Sequence, residues 1–282
     1  MLTSATELLG RAQRGNYAIA AFNFHNLEIL QAIIETAEAE KAPVILQITP
    51  TYLEKIGATA AAAMAREAAA AAKVPVALHL DHSDSFKWII WALAHGFTSV
   101  MIDASKLPLA ENIALSRKVA EAAHATGAAA EAELGHIGGV EDSIDDLGNA
   151  DAGLADPNEA ARLVQESGID ALAPALGTAH GLYTSEPKID FERLDKIRAL
   201  VRVPLVLHGG SGIPDNMVRE AIATGIAKVN IGTELKVAWA DAVKGALAVG
   251  ITEPWQVAVK AREAVREVVR QKITLCGCDG KA

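Results

Sequence analysis

The sequence predicts a (β/α)₈ TIM barrel with an extra C-terminal helix, residues 1–282 forming one domain. Three observations predict it. Eight short apolar or β-branched runs recur along the chain, and long helical stretches follow most of them, which implies parallel βαβ units. The length of 282 residues fits a single α/β barrel, which typically needs about 250. No Gly-x-Gly-x-x-Gly follows the first run, so the alternative, a doubly wound open sheet, lacks its main support.

The strand runs are Tyr17–Asn23, Pro43–Thr49, Pro75–His82, Ser99–Asp103, Ala128–Leu134, Ile169–Leu176, Pro204–Gly209 and Lys228–Thr233. Helices are expected over Leu27–Glu40, Thr59–Lys73, Phe86–Ala94, Pro108–Thr126, Pro157–Ser167, Pro214–Thr224 and Leu235–Ala248. Pro157 behind Asp156 reads as a first helical residue behind an N-cap. Pro254–Ile273 is a helix beyond the eighth unit and a surface for packing against a second copy. Gly135–Ala155 is polar, rich in Gly and Asp, and too long for an ordinary connection. It follows the fifth strand, which places it on the C-terminal face where barrel enzymes keep their active sites.

Composition narrows the function. Hydrophobic residues make up 51% of the chain and charged residues 22%, which excludes intrinsic disorder. The net charge of −9 and the lack of any basic run speak against nucleic acid as a partner. Anions must then be bound by local devices rather than by the overall field. Cys276 and Cys278 are the only cysteines, so a disulfide framework is excluded. They read as an incidental feature of the tail in a reducing, cytoplasmic setting. No N-terminal segment reads as a signal peptide. The stretch Ala58–Ala72 carries Arg66 and Glu67 and is too short and charged to span a membrane.

Three histidines fall at the ends of strand runs: His82, His180 and His208. In a barrel those ends converge on one mouth, and three neutral imidazoles with an open position make a catalytic zinc site. His25, His79, His95, His124 and His136 do not share that placement. His79, three residues before His82, is expected to face away from it. Carboxylates gather on the same face. Asp81 neighbours His82, Asp103 ends the fourth run, and Glu131 and Glu133 share one side of the fifth. Gly209-Gly210-Ser211-Gly212 after the seventh run and Asn230-Ile231-Gly232-Thr233 at the eighth suit a phosphate held by backbone N–H groups and a helix N-terminus.

These segments, together with Ala21-Phe22-Asn23, Met101-Ile102-Asp103, Gly138-Gly139-Val140-Glu141-Asp142 and Gly177-Thr178-Ala179-His180-Gly181-Leu182-Tyr183, resemble the class II, zinc-dependent ketose-bisphosphate aldolases of the fructose and tagatose type. The resemblance runs from about residue 3 to residue 275. It implies reversible cleavage of a ketose 1,6-bisphosphate, or a related ketose 1-phosphate, to dihydroxyacetone phosphate and an aldehyde. It implies one catalytic Zn²⁺ per subunit on His82, His180 and His208. Glu133 and Asp103 would lie by a second or transient metal position. Na⁺ or K⁺ would bind near the phosphate loops. Asp81 would exchange the C4 hydroxyl proton, and Glu141 the proton at the enediolate carbon. Asn23, Gly181, Gly209, Ser211, Asn230 and Thr233 would bind the substrate or its phosphate. A homodimer or homotetramer is implied, with a sugar phosphate as the small-molecule partner.

One departure matters. The family's bisphosphate members usually carry Asp-Pro-Arg before the last helix, and that arginine reaches the distal phosphate. Here the segment is Glu253-Pro254-Trp255. Losing a charge-assisted bidentate contact is costly. The alternatives are therefore an aldolase with a non-phosphorylated or differently charged aldehyde partner, or a non-catalytic companion subunit of a tagatose-bisphosphate aldolase. Lys106 and Arg262 are the candidates to replace the arginine. A Schiff-base lysine mechanism is disfavoured, because Lys228 opens the eighth run at the end away from the mouth.

Overall fold

The computed structural model describes residues 1–139, 153–181, 183 and 187–282. Its eight strands pair in parallel, in chain order, and close into a barrel. The order is α1 (Ala5–Gly15), β1 (Ile19–Asn23), α2 (Leu27–Ala39), β2 (Val44–Ile48), α3 (Pro50–Ile56), α4 (Ala58–Ala71), β3 (Val76–Ser83), α5 (Phe86–Ala94), β4 (Ser99–Ile102) and α6 (Leu109–Ala125). There follow β5 (Ala129–Leu134), α7 (Pro157–Ser167), β6 (Ala171–Pro174), α8 (Phe191–Leu200), β7 (Leu205–Leu207), α9 (Asp215–Thr224), β8 (Ile226–Ile231), α10 (Thr233–Ala248) and α11 (Pro254–Cys276).

Three helices were not expected, and each carries its own signal. Ser4 caps α1 by accepting from Thr6 N, a cap worth about 1 kcal/mol, and Glu7 in the first turn accepts from Thr3 Oγ1. Thr49 caps α3 ahead of Pro50, and Asp190 caps α8. Thr49–Tyr52 thus form the cap and the start of a helix. The sixth and seventh strands are shorter than expected, and the eighth begins two residues earlier, at Ile226.

The barrel is filled from below by apolar side chains and near its upper end by polar ones. Asn23 is in register with Gln47, and Gln47 with His79, so a polar row crosses three adjacent strands. On the far side, Glu131 and Glu133 lie beside Ala171 and Ala173, whose small side chains leave room for larger groups from the neighbouring strands.

Helix α11 lies against α2 and α10, and Arg270 at its far end bonds Glu40 at 2.9 Å. The cysteines correct the expectation of an incidental tail. Both are buried, at 1% and 0% exposure, and Cys276 is the last residue of α11. Burial pushes the Cys278 thiol up to about 12, so it is inert as a nucleophile at neutral pH.

Candidate functional site

The site begins with a break in β3. Period-two alternation would send Asp81 inward and His82 outward. Instead His82 takes a left-handed backbone, φ +45°, and the β3–β4 register shifts between Leu80 and Ser83. The left-handed conformation costs a non-glycine residue roughly 1–2 kcal/mol. It turns the His82 imidazole to the mouth while Asp81 stays inside. The opposite-face expectation for His79 is therefore corrected: His79 and Asp81 share the interior, and His82 joins them through the bulge rather than by parity.

His180 and His208 arrive from the segments after β6 and β7. Those segments approach so closely that only glycine fits at two points. The segment after β5 joins them: a Cβ on its Gly139 would collide with the His180 carbonyl, and one on Gly209 with the Ala179 carbonyl; both residues have positive φ. The Tyr183 hydroxyl ties the two segments together, accepting from Ala179 N at 3.0 Å and donating to the Gly209 carbonyl at 2.9 Å. The result is a triangle of imidazoles whose ligand nitrogens lie within 4.8 Å of one another.

The tautomers follow from the partners. Burial works against a charge on Glu131, but Lys228 and the His208 hydrogen bond outweigh it and hold the group ionised, well below the usual carboxylate range. A carboxylate only accepts, so His208 Nε2, 2.9 Å from Glu131 Oε1, carries its proton and Nδ1 its lone pair. His82 Nδ1 faces Asp103 Oδ2 at 3.4 Å, which leaves the lone pair on Nε2. His208 Nδ1 and His82 Nε2 stand 2.8 Å apart. Two lone pairs at that separation repel unless a cation stands between them. A three-imidazole donor set so arranged fits a zinc ion, and suits cobalt or iron as well.

A second group of possible ligand atoms comes from His82, Asp103 and Glu133. Burial, then the Asp103 charge, pushes Glu133 up to about 8. Its Oε1 accepts from Ile137 N at 3.2 Å, while Oε2 is buried with no hydrogen bond among the described residues.

Asp81 lies at the heart of the polar row, fully buried. It accepts from Asn23 Nδ2 at 2.9 Å, Gln47 Nε2 at 3.2 Å and Asn230 Nδ2 at 3.3 Å. Burial opposes its ionisation, but the nearby His82, His208, Lys228 and His79 outweigh that and lower its pKa. Asn230 Oδ1 is buried without a partner among the described residues, an acceptor free for an incoming hydroxyl.

Lys228 is not at the far end of the barrel. It is the third residue of β8, wholly buried, with Nζ 2.8 Å from Glu131 Oε2 and 3.3 Å from His79 Nε2. Gln47, His79 and Lys228 were not among the expected site residues. Gln47 did stand out as the single polar residue of Val44–Ile48.

The glycine loops converge as expected. Ser211 Oγ accepts from Gly232 N at 3.3 Å and faces the first turn of α10, where Thr233 is the first residue; both side chains are buried. Gly181 continues the His180 segment with φ +94°. Glu141 and Asp142 lie outside the described residues, as does Leu182.

Comparison with known proteins decides the family. The sequence pattern of fructose-bisphosphate aldolase class-II matches residues 3–281. This chain is a member of the class II fructose-bisphosphate aldolase family. Its fold is similar to the YdjI aldolase of Escherichia coli K12, with a TM-score of 0.89 and 37% identity over 100% of both chains. A candidate fructose-1,6-bisphosphate aldolase from Coccidioides immitis superposes with a TM-score of 0.91 at 32% identity, covering 98% of this chain and 97% of that one. Fructose-bisphosphate aldolase from Campylobacter jejuni gives 0.83 at 25%, over 100% and 97%.

This class II aldolase keeps a cavity of about 370 Å³ beside the triad. His82, His180, Asp103 and Glu133 line its inner end, and Thr51, Asp84, Lys106 and His136 its outer end. Trp255 does not reach it. That side chain is 63% exposed and lines a separate groove with Leu27 and Arg262. Arg262 is itself engaged, bonding Gln31 Oε1 at 3.1 Å and Glu35 at 3.3 Å. No described helix is long and apolar enough to cross a membrane.

Proposed function

We propose that the protein is a zinc-dependent aldolase that cleaves a ketose 1-phosphate or ketose 1,6-bisphosphate to dihydroxyacetone phosphate and an aldehyde, working as a single domain in a homo-oligomer. The observation that carries this reading is the facing pair of His208 and His82 lone pairs directly above an ionised, fully buried Asp81. Zinc bound by His82, His180 and His208 supplies Lewis acidity at the substrate carbonyl.

The chain's own residues supply the rest. Asp81 accepts the C4 hydroxyl proton as the C3–C4 bond breaks, and the bonding electrons pass into the enediolate. Asn23, Gln47 and Asn230 hold its carboxylate in place for that transfer. Asn230 Oδ1 accepts from a hydroxyl of the dihydroxyacetone half. The backbone N–H groups near Gly181, Gly209 and Thr233, with the Ser211 hydroxyl, hold the C1 phosphate at the start of α10, where the helix dipole favours an anion. A monovalent cation, Na⁺ or K⁺, belongs beside them. Glu141 returns a proton to the carbanion carbon, as the family resemblance implies. The intact triad and Asp81 support a catalytic chain over a companion subunit.

The test is dihydroxyacetone phosphate release, coupled to glycerol-phosphate dehydrogenase, from fructose 1,6-bisphosphate, tagatose 1,6-bisphosphate and fructose 1-phosphate, with and without EDTA. Chelator-sensitive release from at least one substrate is expected. Chelator-insensitive release, or none from any ketose phosphate, would overturn the reading.

A further inference from the structure

The C-terminal helix α11 buries one charge that the reaction above does not use. Its other buried residues are apolar or cysteine, and Lys272 is the single lysine among them. An ammonium only 8% exposed needs a counter-charge. Lys272 finds it in Glu234, in the first turn of α10, with Nζ 2.7 Å from Oε1.

The same Oε1 accepts from Gly212 N at 2.7 Å. Gly212 closes the Gly209–Gly212 loop with φ +80°. Glu234 N also donates to Ser211 Oγ at 3.5 Å, so Glu234 holds this loop through both its side chain and its backbone. Gly210 N is committed as well, donating to the Asn230 carbonyl at 3.0 Å. Two of the loop's amides therefore brace it and are not spare donors for a phosphate.

The brace carries an electrostatic cost. The start of α10 attracts an anion, yet an uncompensated carboxylate in its first turn would repel a phosphate held there. The Lys272 ammonium sits on the very oxygen that binds Gly212 and offsets its charge. Glu234 can then orient the loop without opposing the phosphate.

We propose that Lys272 and Glu234 are positioning residues: α11, through this ion pair, sets the shape and the charge of the loop that receives the substrate's C1 phosphate. Neither side chain touches the substrate. The inference rests on the aldolase reading and adds a part for the C-terminal helix in substrate binding.

The test is calorimetric binding of dihydroxyacetone phosphate to the zinc-loaded enzyme, with KM and kcat for ketose phosphate cleavage measured alongside. Lys272→Met should weaken binding about tenfold and raise KM by a similar factor, with a smaller change in kcat. Lys272→Arg should keep most of the affinity. Adding Glu234→Gln to Lys272→Met removes the uncompensated charge and keeps an acceptor for Gly212 N, so the double variant should recover most of what was lost. Glu234→Gln alone should bind at least as tightly as the wild type, a check that stands even if Lys272→Met does not fold. A Lys272→Met enzyme that binds like the wild type, a double variant no better than Lys272→Met, or a Glu234→Gln enzyme that binds more weakly would overturn the inference and leave the aldolase reading standing. A wild type that binds no dihydroxyacetone phosphate would overturn both.

Discussion

His208 and Lys106 stand at opposite ends of one site and are held in opposite ways. His208 is 1% exposed and meets Glu131 on one ring nitrogen and His82 on the other. Lys106 is exposed on a turn and touches no described partner. At the inner end Asp81, Glu131, Lys228 and His208 each bond a neighbour that is also buried, so removing one leaves another unsatisfied. At the outer end a side chain can change without disturbing the rest. The outer lining of the cavity is thus separable from its buried inner end. The separation follows from which side chains share hydrogen bonds.

The largest expected effect tests the inner end directly. His208→Ala removes one of the three proposed zinc ligands and leaves Glu131 without one of its two hydrogen-bond partners, and activity should fall on the order of 10³-fold or more. Zinc content after dialysis should fall with it. Full activity with normal metal content would break the comparison.

Lys228→Met comes next. With Lys228 gone, Glu131 loses its counter-charge and holds His208 less well, so zinc affinity should drop about 10–100-fold in a chelator competition. Glu131→Gln should act in the same direction, and the double variant should be little worse than either single one, because both removed groups act through one hydrogen bond. Additive losses would mean that Lys228 acts by another route.

The network explains what the sequence made legible and what it hid. Strand runs and most helices are local patterns, so β1 to β8 appear near their expected places. The three histidines and Asp81 were visible because Asp81 and His82 lie near the end of β3 and His180 and His208 lie in the segments that follow β6 and β7. The bulge at His82 was invisible, since it depends on how β3 pairs with β4 and not on the β3 residues alone. Lys228 was misplaced because a lysine at the start of a run looks like a solvated end. Only closure of the barrel brings it to Glu131, 97 residues away in sequence. Helices α1, α3 and α8 are marked in the sequence by their capping residues Ser4, Thr49 and Asp190.

A smaller effect concerns Glu133. Its folded pKa, raised to about 8 from an ordinary value of 4.5, means that the metal-free fold binds a proton that the unfolded chain has lost. Stability is therefore fully present below about pH 4.5 and is lost as pH rises to about 8. The buried histidines oppose this only at lower pH: His79, lowered by burial and Lys228 to about 3, contributes stability that is present above 6.5 and lost on acidification. Between about pH 6.5 and 8 the metal-free protein should lose stability with rising pH, by up to about 1.4 kcal/mol per unit. Melting temperatures of the wild type and Glu133→Gln across this window check it, and the variant should show a flatter slope.

The smallest effect is expected at Trp255. It is exposed and outside the cavity, so Trp255→Ala should change stability by no more than about 0.5 kcal/mol and leave aldehyde preference unchanged. A changed preference would show that a second copy of the chain brings this side chain to a site, and would sharpen the boundary of the outer end.

The left-handed backbone at His82 also bears on how this site can evolve. Asn, Asp and His are the non-glycine residues that accept such a conformation most readily. Cysteine or glutamate, which serve as metal ligands elsewhere, would bear the conformational cost in addition to any change in coordination. His180 and His208 do not carry this restriction, since neither has positive φ. A lineage exploring other metals would find its first viable substitutions at 180 and 208, with position 82 as the last ligand to change. A library randomised at all three codons should return that order of tolerance.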